Sequence, residues 1–404
     1  MDDLERLPEG SVTSPLGFRA GAVYAGLKTP GPDKLDLAVL VADRPCAAHG
    51  LFTTNRVVAA PVLVSRERLA SGRAQGVVVN AGNANACTGP SGLAHAREMA
   101  DRTARRFGLD PEAVLVASTG VIGVPFPIDK VRAGLDRLEL AADGGAAMAR
   151  AIMTTDTRPK MAAVRLEVMG RTVTIGGVAK GAGMIHPNMA TMLAFLTTDA
   201  HLDPGFLRGA LTAVVDRTFN MVTVDGDTST NDTVLLLANG AADHPPLTSA
   251  HPDAARFQAA LEAVASSLAR MIAADGEGAT RLIEVQVRGA RTEADARRAA
   301  RAVAASSLVK AAVYGGDPNW GRILCAVGYS GAEIDPGAVD VALGDVVVAR
   351  AGRAADFDPG AASAALRGGE VVIRVDLHLG EASAVAWGCD LTEEYVVVNS
   401  KYTT

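Results

Sequence analysis

The sequence predicts a mixed α/β (α+β) protein in which layers of sheet and helix pack on each other. Three observations carry this. Short Val- and Leu-rich strand segments interleave with helix-spaced segments along the whole chain. Consecutive strands separated by tight turns point to hairpins as well as crossovers. Apolar residues make up 49% and charged residues 21% of 404 residues, a soluble globular composition with ample core. Aromatics supply only 4%, so that core must be built from Ala, Val, Leu and Ile.

The elements follow in order. KLDLAVLVAD (34–43) alternates as a strand does, and GVVVN (76–80) and AVLVAS (113–118) are short β-branched runs ending in small polar residues. Ser91 to Phe107 has helical spacing and stops at Gly108, a fitting C-cap. One or two helices are expected over 128–153, after Pro127. Residues 161–181 read as a hairpin and 191–198 as a strand. Helices are predicted at 203–218, 253–274 and 291–306, and strands at 233–238, 282–287 and 323–328. The last third reads as strand-rich through VDVALGDVVVA, EVVIRVDLHL and EYVVVN, with 242–253 a surface loop.

Composition also excludes functions. The net charge is −6 with signs intermixed, against nucleic acid as a partner. The basic stretch Arg291 to Arg301 has the spacing of a solvated helix face. The acidic N-terminus MDDLERLPEG is no signal peptide, and no apolar run approaches the ~18 residues of a membrane helix, so a cytoplasmic location is expected. Cys46, Cys87, Cys325 and Cys389 form no CxxC pair and read as reduced, buried thiols. The seven histidines show no HxH or HExxH spacing, so no catalytic metal is expected, and no GxGxxG follows a strand and opens a helix, so no dinucleotide cofactor is expected either. GGVAKGAG (176–183) fails as a phosphate loop because Gly181 follows Lys180, and GYSGA (328–332) lacks the last glycine of a nucleophile elbow.

The loop KGAGMIHPNMATMLAF (180–195) stands apart: two glycines and a Pro-Asn turn lead into a strand start. It resembles the autoproteolysis motif of the ornithine acetyltransferase family, the glutamate N-acetyltransferases. The likeness runs along nearly the whole chain through NAGNANACTG (80–89), STGVIG (118–123), AIMTTDT (151–157), DGDTSTND (225–232), DGEGATRLIEV (275–285), YGGDPNWGRILCAVGYSG (314–331) and NSKYTT (399–404). The resemblance implies a sandwich similar to N-terminal nucleophile hydrolases and a chain that cuts itself between Ala190 and Thr191. The pieces 1–190 and 191–404 would stay together and pair into a heterotetramer of two of each. Thr191 would then take acetyl from N2-acetylornithine and give it to glutamate, in arginine biosynthesis, by a ping-pong route; acetyl-CoA is a further donor within the family. Thr119 and Gly120 match the oxyanion pair, although Ser118-Thr119-Gly120 by itself reads as a turn. Substrate contacts are implied for Thr154, Lys180, Thr191, Glu277, Asn399 and Thr404, with only the alignment of the block separating Thr154 from Thr155. The same features fit a self-cleaving amidase or peptidase that passes its acyl group to water, or a family member in a secondary-metabolite pathway.

The implied chemistry is sound. A threonine hydroxyl is a weak nucleophile that needs a base beside it. Cutting the chain before a threonine creates an α-amine of reference pKa about 7.7–8.0, a usable base near neutrality where a lysine at about 10.4 is not.

Overall fold

A computed structural model describes residues 4–28, 34–186 and 192–401. Among them the strands are β1 (Glu5–Arg6), β2 (Phe18–Val23), β3 (Leu37–Phe52), β4 (Arg73–Asn83), β5 (Val114–Val121), β6 (Lys160–Val168), β7 (Arg171–Lys180), β8 (Leu193–Thr198), β9 (Thr233–Ala238), β10 (Leu282–Ala290), β11 (Asp340–Leu343), β12 (Val346–Arg350), β13 (Arg353–Ala354), β14 (Glu370–Asp376) and β15 (Ala382–Cys389). The α-helices are α1 (Ala60–Arg68), α2 (Gly89–Phe107), α3 (Ile128–Arg137), α4 (Gly145–Ala151), α5 (Pro204–Arg217), α6 (Asp253–Ala274), α7 (Glu293–Ala305), α8 (Ser307–Gly315), α9 (Trp320–Gly328), α10 (Pro359–Ala365) and α11 (Glu393–Lys401).

The large sheet runs β1-β6-β7-β8-β9-β3-β4-β5, with β2 also paired to β3. The 16-residue β3 ties its halves together: Leu37–Val41 pair with β4, the register shifts before Cys46, and Ala47–Phe52 pair with β9. The two halves face each other. Leu40 and Val77 on one side, and Val178, Phe195 and Leu235 on the other, belong to one buried cluster that also takes in Met148 of α4. Strand alternation makes this possible. In β3, Leu37, Val39 and Val41 point to a cluster under α2 and α3, while Ala38, Leu40 and Ala42 point to the shared interior. In β8 and β9, Leu193, Phe195, Leu235 and Leu237 face inward, whereas Ala194, Leu196, Val234 and Leu236 face α5 and α6. The result is helices, sheet, sheet, helices: the layered sandwich expected. A second sheet, β13-β12-β11-β14-β10-β15, joins the same core as α5 and α6 and packs with α7.

Many boundaries agree with the sequence. Helix α6 spans 253–274 as predicted, and α2 ends on Gly108 with φ of 69°. Residues 242–252 form the expected loop. Arg291, just before α7, pairs with Glu333 at 3.0 Å, and Arg298, within it, pairs with Asp295 at 3.0 Å.

Three expectations fail. Residues 323–328 are helix α9, not a strand, because Asn319 caps them by accepting the Arg322 N–H and the apolar residues fall on one helical face. EYVVVN is helix α11; its valines are β-branched, yet no strand edge receives them and none of its residues is buried. The thiols divide: Cys46 and Cys389 are buried, but Cys87 and Cys325 are exposed. No described helix is long and apolar enough to cross a membrane, and no metal-ligand cluster occurs among the described residues.

Candidate active site

The cleft of interest lies where four connections meet. Thr119 and Gly120 close β5, Lys180 is the last residue of β7, Thr154 follows α4, Glu277 follows α6, and Asn399 rides on α11. All six line one hollow of about 80 Å³, together with Thr155, Gly183, Met184, Ser229 and Asn231. Ala190, Thr191 and Thr404 lie outside the described residues. The connection that contains residues 190 and 191 leaves Lys180 and re-enters the sheet at Leu193, the two residues being register partners of β7 and β8.

Backbone shape sets Thr119 and Gly120. Strands β4 and β5 run parallel until Gly82, where the register slips. Gly120 has φ of 128°, and a Cβ there would lie 2.4 Å from the Gly82 carbonyl carbon, so this position admits only glycine without rearrangement. Beneath them Asn231 donates through Nδ2 to the carbonyls of Ser118 (2.9 Å) and Ala84 (2.7 Å), and the Ser118 hydroxyl donates to Asn80 Oδ1 at 2.6 Å. The neighbouring carbonyls are thereby satisfied.

Lys180 is buried, and its ammonium donates to Thr119 Oγ1 at 3.3 Å. Burial pushes its pKa below the usual lysine value, against the pull of Asp156 and, more weakly, of Asp232 and Glu277. Asp156 is itself buried, which raises its pKa, but the charges of Lys180 and Lys160 outweigh this and bring it down to about 2. Asp156 Oδ1 accepts from the Gly181 N–H at 2.7 Å and from Lys160 Nζ at 2.6 Å, and Lys160 reaches Asp275 Oδ2 at 2.5 Å. This buried carboxylate–ammonium–carboxylate group fixes the strand end that carries Lys180 and the helix end that precedes Glu277.

Glu277 is held by its own N–H, which donates to the Ala182 carbonyl at 2.9 Å. Its Oε2 accepts from Asn399 Nδ2 at 2.8 Å. Gly183 leaves room for this carboxylate, since a Cβ there would meet Glu277 at 2.4 Å. Helix α11 is secured by Thr392 Oγ1 donating to the Gly278 carbonyl at 2.7 Å and by Tyr314 Oη donating to Glu393 at 2.6 Å. The C-terminal segment is therefore tied to the cleft by a helix where a strand was expected. Thr154 and Thr155 both line the hollow, so geometry does not separate them.

The sequence reading missed Asp156, Lys160 and Asp275, which stand inside or next to blocks it had already quoted. A buried charge is invisible in one sequence, because its partners come from three separate segments. Chemically, the cleft offers a buried cation, a hydroxyl beside a positive-φ glycine, and a carboxylate, all arranged around the connection between β7 and β8. That set can hold an amino acid and stabilise an oxyanion.

The family model described as "ArgJ family" matches residues 19–404. The chain belongs to the ArgJ family. An ArgJ protein of Symbiobacterium thermophilum, named an arginine biosynthesis bifunctional protein, is 57% identical over 397 residues, covering 98% of this chain and 99% of the relative. Another, from Dehalococcoides mccartyi, is 51% identical over 401 residues, covering 99% of each. Among solved ArgJ structures, a chain from Bacillus halodurans is 49% identical with a TM-score of 0.50, covering 52% of this chain and 98% of its own length.

Proposed function

We propose that this cleft is the active site of an acetyltransferase of arginine biosynthesis that moves acetyl from N2-acetylornithine to glutamate on Thr191. The observation that carries the reading is the convergence of Thr119, Gly120, Lys180, Glu277 and Asn399 at the mouth of the 181–192 connection. Glutamate and ornithine each present an ammonium and a carboxylate. Glu277, braced by Asn399, suits the ammonium, and Lys180 suits the carboxylate. Thr154 and Thr404 complete the contacts.

The chain first makes its catalyst. Thr191 Oγ attacks the Ala190 carbonyl carbon, the C–N bond between the two residues breaks, and the nitrogen takes the hydroxyl proton. Water then opens the resulting ester, leaving a carboxylate on Ala190 and a free hydroxyl and amine on Thr191. In the transfer cycle that amine takes the hydroxyl proton as Oγ attacks the acetyl carbonyl. The tetrahedral oxyanion sits against the Thr119 hydroxyl and the Gly120 N–H and collapses as ornithine leaves with the proton. Glutamate attacks the acetyl-threonine and regenerates the enzyme.

The solved chain from Bacillus halodurans supports the cut. Nearly all of it corresponds to 52% of this chain, and a piece 191–404 would hold 214 of the 404 residues, much the same share. Two such pairs form a heterotetramer in this reading, located in the cytoplasm, and acetyl-CoA is a second donor to glutamate. No group beyond the chain's own residues is required.

The test is a mass measurement. Protein incubated briefly with acetylornithine alone should carry one acetyl group on a fragment that begins Thr-Met-Leu-Ala-Phe. Thr191→Ala should remain a single chain without transfer activity, and Thr191→Ser should keep part of both, because serine retains the hydroxyl but not the methyl that restricts its rotamer. An intact chain that transfers acetyl at full rate, or a label found reproducibly elsewhere, would refute the reading. Release of free acetate in place of transfer to glutamate would favour an amidase.

A further inference from the structure

Both flanks of the connection that contains residues 190 and 191 are held by one neighbouring segment, 225–232. On the upstream side, Asp225 accepts the Met184 N–H at 2.5 Å and the Ile185 N–H at 2.9 Å, one on each carboxylate oxygen. On the downstream side, Asp232 Oδ1 accepts the Met192 N–H at 3.2 Å. That nitrogen is bonded to the Thr191 carbonyl carbon, so Asp232 grips the peptide that follows the scissile one. Backbone bonds repeat the hold: the Val224 N–H donates to the Ile185 carbonyl at 2.8 Å, and the Thr233 N–H to the Met192 carbonyl at 3.1 Å.

Asp232 is an expensive way to make one hydrogen bond. It is fully buried, and its Oδ2 has no partner among the described residues. An incompletely satisfied buried carboxylate costs stability, and a neutral side chain would avoid that cost. Burial pushes its pKa well above the usual carboxylate range. The clamp has a kinetic use. Self-cleavage needs Thr191 Oγ over the Ala190 carbonyl, and anchoring a short connection at both ends removes conformations in which it is not.

The structure assigns Asp225 and Asp232 as positioning residues for self-cleavage, through their hold on Met184, Ile185 and Met192 at the two described flanks of the junction. The assignment rests on the cut at Thr191 proposed above. It adds residues that prepare the cut and do not line the described hollow.

The experiment follows fragment appearance on a denaturing gel after synthesis of wild type, Asp225→Asn and Asp232→Asn. Asn keeps the size; at 225 it turns one acceptor into a donor facing an N–H, and at 232 it can keep its oxygen on the Met192 N–H only by burying an NH2 where Oδ2 has no partner among the described residues. A misplaced junction should cut ~10- to 100-fold more slowly in each variant. Transfer activity per cut chain should fall much less than the cutting rate, a split that a general loss of structure would not give. Hydrogen exchange on uncut Thr191→Ala chain gives a measurement independent of how the Asn variants fold: the amides of Met184, Ile185 and Met192 should be protected. Wild type that cuts before Thr191 while both Asn variants cut at its rate overturns the assignment, as do freely exchanging amides at those three positions. Wild type that never cuts at Thr191 refutes the self-cleavage reading itself.

Discussion

Replacing Thr119 by alanine isolates the oxyanion contact. Thr119 is buried, and its Oγ1 already accepts a hydrogen bond from Lys180 Nζ at 3.3 Å. With that lone pair engaged by a cation, the hydroxyl hydrogen is free to point into the cleft. One preorganised donor of this kind is worth about 2.7–4 kcal/mol, which corresponds to roughly a 100- to 1,000-fold fall in kcat. The loss belongs in kcat more than in KM, since the charge it meets exists only in the transition state. Alanine also leaves the buried Lys180 ammonium without its hydroxyl partner, which adds to the cost. Thr119→Ser restores the hydroxyl and should recover most of the rate. The assay is initial-rate transfer from acetylornithine to glutamate, normalised to the cut fraction seen on a gel, because the same donor can serve self-cleavage. If Thr119→Ala keeps kcat within about twofold of wild type, or if serine is as slow as alanine, Ser118-Thr119-Gly120 is a turn and nothing more.

Two further predictions concern the frame of the site. The Lys180 and Lys160 charges hold Asp156 down to a pKa of about 2, below the ordinary 3.8 of an aspartate, so its contribution to stability is present above about pH 4 and is lost as pH falls through 2. That gap corresponds to roughly 2 kcal/mol, and the fall in unfolding free energy between pH 5 and 2 should be smaller by about this much in Asp156→Asn; an equally steep fall would show that the group carries no linkage. Gly120→Ala would place a Cβ against the Gly82 backbone at a φ of 128°, so melting should show a loss of more than ~1 kcal/mol along with impaired transfer, and a fully stable, active variant would contradict the described turn.

What the sequence revealed and what it withheld follow from range. The strands of the large sheet were legible because alternation is local: every second residue of β3 goes to a different cluster. ILCAVG and EYVVVN misled because a six-residue apolar run fits strand or helix equally until its caps and neighbours are known. The candidate site was legible only through long ordered likeness to a family. Neither Lys180 nor Glu277 announces itself, and the surface is the usual place for both residue types. Asp156, Lys160 and Asp275 stayed hidden because their meaning is mutual. Asp156 and Asp275 lie over a hundred positions apart, and burial alone turns three ordinary charges into the brace under Lys180.

The fold explains why a cut before Thr191 would be tolerated. Such a break falls in a connection, while the contacts around it cross from one piece to the other. Strand β7 lies upstream and β8 downstream, yet they pair from Ile175 with Thr198 to Lys180 with Leu193. Strand β3 lies upstream and β9 downstream, and they pair from Ala47 with Ala238 to Phe52 with Thr233. Between the sheet halves, downstream Leu193, Phe195, Leu235 and Leu237 share one buried cluster with upstream Leu40, Val77, Leu115 and Val178. Each such side chain is worth about 1.5–3 kcal/mol of burial, so this shared cluster opposes separation of the pieces. The site is divided in the same way: Thr119, Gly120, Thr154 and Lys180 precede the junction, and Glu277 and Asn399 follow it. In the proposed reading such a cut would add a free amine where a base is needed, and the interleaved core would keep the two sides of the cleft in register.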